Sequence, residues 1–281
     1  MKDFHLYLVS DSTGETLNAV AKAVLVQFEE LRPQEHLYAL VRTKRQLDEV
    51  LNDIIERPGV VMFTLVHDEL RDRLMETCRH LDVPCLPVLD PLIAALSSYF
   101  GAKSSGRPGR QHMMDAHYFS RIDAMSFTMA HDDGQLTEDL PHADIILLGV
   151  SRTSKTPTCI YLANRGLKTA NIPLVPQCPL PAVLEGLKKP LIIGLTTSAE
   201  RLVHIRLNRL RSLNQSPTTD YVDIESVRGE IANARRLFAR HEWPVIDVTR
   251  RSIEETAAAV LNYYERRKKN LPQRKVSRPV K

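Results

Sequence analysis

Asp144-Ile-Ile-Leu-Leu-Gly-Val-Ser-Arg-Thr-Ser-Lys-Thr-Pro157 is the stretch that decides how this chain is read. An apolar run ends in Gly149, four residues follow, and then come Ser154, Lys155 and Thr156. A buried strand, a tight loop and a helix at this spacing make a phosphate-binding P-loop. In such a loop the backbone N–H groups and the helix N-terminus form a nest of positive potential. Lys155 is then expected to reach the terminal phosphates, and the Thr156 hydroxyl to hold Mg²⁺. Ser154 stands where the usual pattern has a second Gly. A Ser keeps the loop if its backbone avoids the left-handed region, or if it accepts strain of roughly 1 kcal/mol or more. The alternative is a polar helix N-terminus behind a core strand.

Working outward, the apolar and amphipathic segments alternate on both sides of this loop. Before it, Phe4–Val9, Leu37–Val41, Val60–Val66 and Val83–Val88 read as strands. Helical spacing covers Gly14–Phe28, a stretch capped by Thr43 and running to Ile55, Asp68–His80, and a stretch capped by Asp90 and running to Tyr99. The Gly-, Ser- and Arg-rich residues 101–112 read as a loop or linker, and 113–130 as a helix. After Asp144 the strands are Ile145–Val150, Ile172–Val175, Leu191–Leu195 and Pro244–Val248. The helices there are Lys155–Asn164, Ala199–Leu213, Ile224–His241 and one capped by Ser252 and running to Tyr264. Strands alternating with helices predict an α/β protein with two parallel-sheet series, the second a P-loop kinase-like domain. The expected divisions are an α/β domain over 1–100, a linker and helix over 101–140, a nucleotide-binding domain over 141–266 and a basic tail over 267–281. The two series share a rhythm but no sequence pattern.

The bulk properties remove several classes of function. The 281 residues suffice for a large core and two domains. No apolar run approaches a membrane span, and the N-terminus lacks a signal-peptide layout. Cys78, Cys85, Cys159 and Cys178 have neither zinc-like nor paired spacing, and read as reduced thiols of a cytoplasmic protein. The net charge of +4 is mild and gathers in the tail, without the interleaved aromatics that stack bases. Neither a membrane nor a nucleic acid is expected as partner.

Four other features are candidates for chemistry, each with a bland alternative. Ser10-Asp11-Ser12-Thr13-Gly14-Glu15-Thr16 joins the first strand to the first helix, either as a second phosphate-type loop or as a helix capped by Ser12 or Thr13. Arg201, Arg206, Arg209 and Arg211 share one helix, on which Arg206 and Arg209 are face neighbours. They suit phosphate oxygens or a solvated basic face. Asp247 lies near a strand end, where an acid can hold Mg²⁺ through water, although acids are common there. His131-Asp132-Asp133-Gly134 is dense in proton-transfer groups and is also a good turn.

Taken together, Ser10–Thr16, Ala130–Gly134 and Gly149–Pro157 resemble one family, the regulatory proteins of pyruvate, phosphate dikinase and of phosphoenolpyruvate synthase. The order and spacing fit from about Phe4 to Tyr264. The resemblance implies a bifunctional enzyme. It phosphorylates a Ser or Thr beside the catalytic His of its target with ADP as donor, releasing AMP. It also removes that phosphate with inorganic phosphate, releasing pyrophosphate. The family's nucleotide segment maps onto Gly149, Val150, Ser151, Arg152, Thr153, Ser154, Lys155 and Thr156. Lys155 is expected to stabilise charge, Thr156 to bind Mg²⁺, Asp132 or Asp133 to act as base, and His131 to assist proton movement. The dikinase is the favoured protein partner and the synthase the alternative; a homodimer is compatible with engaging so large a target. Two rivals stay open: a small-molecule P-loop kinase, which leaves the first hundred residues without a task, and a nucleotide-sensing module without catalysis.

Overall fold

The computed structural model describes residues 2–109, 116–176, 178–214 and 220–270. The predicted tail residues Arg274, Lys275, Arg278 and Lys281 lie outside them, as do 110–112 of the linker. The chain divides into two units, Met1–Met113 and Met114–Lys281. Each is built on its own four-stranded, all-parallel sheet.

The first unit runs β1 (Lys2–Ser10), α1 (Glu15–Leu25), β2 (Leu31–Tyr38), α2 (Lys44–Glu56), β3 (Val60–Thr64), α3 (Asp68–His80), β4 (Cys85–Pro87) and α4 (Asp90–Phe100). The sheet order is β2-β1-β3-β4. Side chains alternate across a strand, and both faces of β1 are covered. Tyr7 and Val9 pack with Leu47, Ile54 and Leu74 of α2 and α3, whereas Leu6 and Leu8 pack with Leu17 and Ala21 of α1. Thr43 caps α2 through a complete capping box with Gln46.

Two expectations shift here. The second strand is Leu31–Tyr38, not Leu37–Val41. It is a half-exposed edge strand carrying Arg32, Pro33, Gln34 and Glu35, so it lacks an apolar run; Leu40, at φ 59°, ends any extension. Asp90 is the first helical residue of α4 rather than its cap, and Pro91 follows it.

The second unit runs α5 (Ala116–Ala130), 3₁₀ turns at Asp132–Gly134 and Thr137–His142, then β5 (Ile145–Val150) and α6 (Lys155–Ala163). It continues with β6 (Thr169–Leu174), a turn at Ala182–Gly186, β7 (Leu191–Thr196), α7 (Ala199–Ser212), α8 (Ile224–Arg240), β8 (Val245–Asp247) and α9 (Ile253–Asn270). The order β6-β5-β7-β8 repeats that of the first unit, strand for strand. Ile146 and Leu148 face α7 and α8, where they meet Leu202, Ile231 and Phe238; Ile145 and Leu147 face α6 and α9. Gly194 of β7 is a close-approach position, since a Cβ there would stand 2.4 Å from the Phe238 ring. The second predicted strand of this series, Ile172–Val175, begins earlier than expected, because Thr169 and Asn171 are polar yet buried. The basic tail also starts later than predicted. α9 continues to Asn270, and Arg267 is held there by the carbonyls of Pro190 (2.6 Å) and Lys188.

In both sheets the chain leaves the first strand in opposite directions for its two neighbours. The crevices beyond the C-terminal ends of β1/β3 and of β5/β7 are therefore topological switch points, where open parallel sheets hold ligands.

Candidate active site

The loop after β5 opens onto the second of these crevices. Gly149 lets it close tightly: a Cβ there would fall 2.7 Å from Thr153 Oγ1 and 2.8 Å from Leu195 O. Thr153 Oγ1 donates to Val150 O at 2.9 Å, and Lys155 Nζ reaches the same oxygen at 3.2 Å. Arg152 (φ 74°) and Ser154 (φ 60°) both lie in the left-handed region. Of the two possibilities for Ser154, the loop takes the strained one, at a cost on the order of 1 kcal/mol or more. No side chain caps α6 at Ser154. The N–H groups of its first turn are thus left for an incoming acceptor.

Lys155 is only 5 % exposed. Burial lowers its pKa to about 8, against the pull of Asp133 and Asp132. An ammonium so poorly hydrated gains by taking an anion.

The turn at Asp132–Gly134 completes the site from a part of the chain that precedes the loop. Asp132 Oδ1 accepts from Thr156 Oγ1 at 2.9 Å and from Asn171 Nδ2. Asn171, on β6, also takes the Asp133 N–H on its Oδ1 at 3.3 Å and donates its own N–H to His131 O at 3.3 Å. One buried residue therefore fixes Asp132 and Asp133 through its side chain and the preceding His131 through its backbone N–H. Asp133, at φ 50°, is exposed and borders a cavity of about 560 Å³ walled by Ile172, Pro173, Leu174, Val175, Leu180 and Leu237.

His131 occupies a different environment. It is 3 % exposed, its ring lies on Phe127 at a centroid separation of 3.8 Å, and Nδ1 is 2.7 Å from Phe127 O. Its Nε2 is buried without a hydrogen-bond partner among the described residues.

The Arg-rich helix contributes support rather than a free phosphate clamp. Arg206 is 1 % exposed, and its fork binds Glu230 at 2.7 and 3.0 Å. It also donates to Tyr221 O (2.9 Å) and to Ser151 O (3.4 Å), with its guanidinium 4.3 Å from the Tyr221 ring centroid. Tyr221 OH stands 3.3 Å from Ser151 Oγ. Arg206 is thus a strut beneath the loop. Its predicted face neighbour Arg209 is exposed, as are Arg201 and Arg211. Asp247 is spent on Thr249, whose N–H and Oγ1 approach its Oδ1 at 2.8 and 2.5 Å.

Sequence reasoning missed Asn171 and the strut made by Arg206, Tyr221 and Glu230. The available signal for Asn171 was an amide in the middle of a strand whose neighbours are all apolar or Thr. Among the described residues no three acidic, His or Cys side chains gather as a metal cluster. The Thr156 hydroxyl and Asp132 carboxylate are nevertheless hard oxygen donors of the kind Mg²⁺ takes together with phosphates and water. All four cysteines are free, and no described helix is long and apolar enough to cross a membrane.

Comparison with known proteins decides the family. A family model described as kinase/pyrophosphorylase matches residues 6–261. The chain belongs to this kinase/pyrophosphorylase family. It is 59 % identical over 259 residues to a protein of Caulobacter vibrioides, covering 92 % of this chain and 82 % of that one. It is 56 % identical over 266 residues to one of Paramagnetospirillum magneticum, covering 95 % and 86 %. With one of Bradyrhizobium diazoefficiens the identity is 53 % over 270 residues, covering 96 % and 97 %. All three are provisionally named pyruvate, phosphate dikinase regulatory protein. The match spans nearly the whole chain, both loops included.

Proposed function

We propose that this chain is a bifunctional Ser/Thr kinase and phosphorylase that regulates pyruvate, phosphate dikinase. In the forward reaction the bond between the α,β-bridging oxygen and the β-phosphorus of ADP breaks. The phosphoryl group passes to a Ser or Thr hydroxyl of the dikinase, and AMP leaves. In the reverse regulation, an oxygen of inorganic phosphate attacks the phosphorus on that residue; the alcohol is regenerated and pyrophosphate leaves. The names of the relatives favour the dikinase over phosphoenolpyruvate synthase as target.

The observation that carries this reading is the junction of Thr156, Asp132 and Asn171 beneath an uncapped, Lys-bearing loop. Phosphoryl transfer needs positioning and charge neutralisation more than covalent chemistry. The first-turn N–H groups of α6 and Lys155 grip the β-phosphate of ADP in one direction and the attacking inorganic phosphate in the other. Thr156 and Asp132 are the residues that would hold Mg²⁺, which when bound offsets charge on the phosphate oxygens. Asp132 is engaged by two side chains, whereas Asp133 is exposed beside the cavity. Asp133 is therefore the base for the incoming hydroxyl, and the apolar cavity beside it is where the target's flanking residues lie. His131 is buried against Phe127 and sets the turn rather than carrying protons.

Single Asp132→Asn and Asp133→Asn variants, assayed in both directions with purified dikinase, test the assignment. Asp133→Asn is expected to lose at least about 100-fold in transfer to the hydroxyl. Asp132→Asn is expected to raise the Mg²⁺ requirement. Full activity in both variants would remove the turn from the mechanism.

A further inference from the structure

The other crevice, in the first unit, has no part in the chemistry above. Beyond the ends of β1 and β3 lies a cavity of about 620 Å³, large enough for a nucleotide-sized molecule. Three helices start at its wall: α1, α3 and α4. None of the three has a side-chain cap; the positions before them are Gly14, His67 and Leu89. By contrast α2, α7, α8 and α9 are capped by Thr43, Ser198, Asp223 and Ser252. The only other uncapped helix with a described start is α6, at the phosphate loop. Each uncapped N-terminus presents open N–H groups and a partial charge of about +0.5.

The cavity's charged side chains are mostly matched to one another. Asp68 and Asp90 lie 2.6 and 3.6 Å from Arg71. Arg107, on the Ser104–Gly109 segment that forms one wall, has no acid partner among the described residues. Asp11 is only 3 % exposed, yet its carboxylate takes one hydrogen bond from another described residue, Val66 N to Oδ2 at 2.7 Å. Asp11's own backbone N–H also bonds the carboxylate, and the residue lines the cavity. Ser10, equally buried, accepts on Oγ from Thr64 Oγ1 and from Ser12 N, which leaves its own proton to give. The wall therefore offers N–H groups and a guanidinium to an anion, and the remaining acceptor capacity of the Asp11 carboxylate to a hydroxyl. Ile93, Ala94 and Leu89 supply an apolar side. Glu15 occupies the place that Lys155 holds in the second unit, so this loop lacks the ammonium that grips a terminal phosphate of a longer chain.

We propose that this cavity binds a small phosphate monoester bearing hydroxyl groups, of the sugar-phosphate or nucleoside-monophosphate class. The phosphate sits on the uncapped start of α1 with Thr16 and Arg107, and a hydroxyl donates to the Asp11 carboxylate. The site is built from first-unit residues alone, so the proposal stands whether or not the second unit binds ADP.

Calorimetric titration of the full chain with ribose 5-phosphate, with inorganic phosphate as the second probe, tests this. Saturable binding of one ribose 5-phosphate per chain, at least tenfold tighter than inorganic phosphate, is expected. It should weaken at least tenfold in both Thr16→Val and Arg107→Gln, whose thermal unfolding should match the parent, and should persist in Thr156→Ala. Three results would overturn the proposal: no saturable binding, inorganic phosphate binding as tightly as the ester, or binding lost in Thr156→Ala but kept in the two first-unit variants.

Discussion

The loops after β1 and β5 are one device built twice. Each leaves the central strand that comes first in a 2-1-3-4 sheet, spans four residues, and enters a helix through a left-handed residue, Gly14 (φ 79°) or Ser154 (φ 60°). Thr16 and Thr156 hold the same place, second in the helix. They differ at the first helical residue, which is Glu15 in one unit and buried Lys155 in the other. They differ also in what lies below. The second loop rests on the Arg206 strut and on the turn pinned by Asn171, whereas the first is tied through Asp11 to Val66 and Arg42. Topology thus supplies the crevice in both units, and the two crevices differ in the first helical side chain and its buried supports.

Replacing Lys155 with Met should break this contrast most severely. Both directions of phosphoryl transfer should fall by roughly 1,000-fold or more, as for loss of a main charge-stabilising group. Discontinuous assays for AMP and pyrophosphate measure this, while circular dichroism should be unchanged. Arg206→Met comes next. It leaves Glu230 partly buried without its partner and should cost the second unit about 3 kcal/mol in denaturant unfolding. The first unit's transition should stay where it was.

The two left-handed residues allow a reciprocal exchange. Gly14→Ala should destabilise the first unit by about 2 kcal/mol, because a Cβ there carries the left-handed penalty and would stand 2.7 Å from Leu37 Cδ1. Ser154→Gly should fall between neutral and about 1 kcal/mol stabilising, since relief of strain is offset by a freer unfolded chain. Transfer activity should survive it.

The smallest effect is on pH dependence. Burial holds the Lys155 pKa near 8, below its ordinary 10.5. Between those values the unfolded chain binds more protons than the folded one, so this group makes the unliganded protein more stable as pH rises. Affinity for ADP should run the other way and decline above pH 8 as the ammonium discharges. Parallel melting and calorimetric titrations from pH 7 to pH 10 separate the two trends.

Much of the frame could be read from the chain. The strand Ile145–Val150 and the helix Asp68–His80 have the predicted bounds, because a continuous apolar run and a regular 3.6-residue spacing are local signals. β2 and β6 were misplaced for opposite reasons: one is a polar edge, and the other buries polar Thr169 and Asn171. The site was legible only in pieces. The loop announced itself by spacing, and His131–Gly134 by its density of acids. That Asp132 meets Thr156 across 24 positions, through an amide on a third segment, is a tertiary fact without a local signature. Arg206 looked like an exposed phosphate ligand because its partners Glu230 and Ser151 lie far away in sequence. Beyond the loop threonines, Thr13 with Thr153 and Thr16 with Thr156, the doubled topology left little trace in residue identities, since parallel strands require only apolar character.

The most direct measurement follows the β-phosphate of labelled ADP in a mixture of this protein, Mg²⁺ and purified pyruvate, phosphate dikinase. The account predicts label on a Ser or Thr of the dikinase with equimolar AMP, and its release as pyrophosphate when inorganic phosphate is added. Label that stays on ADP, with the dikinase unmodified, would contradict it.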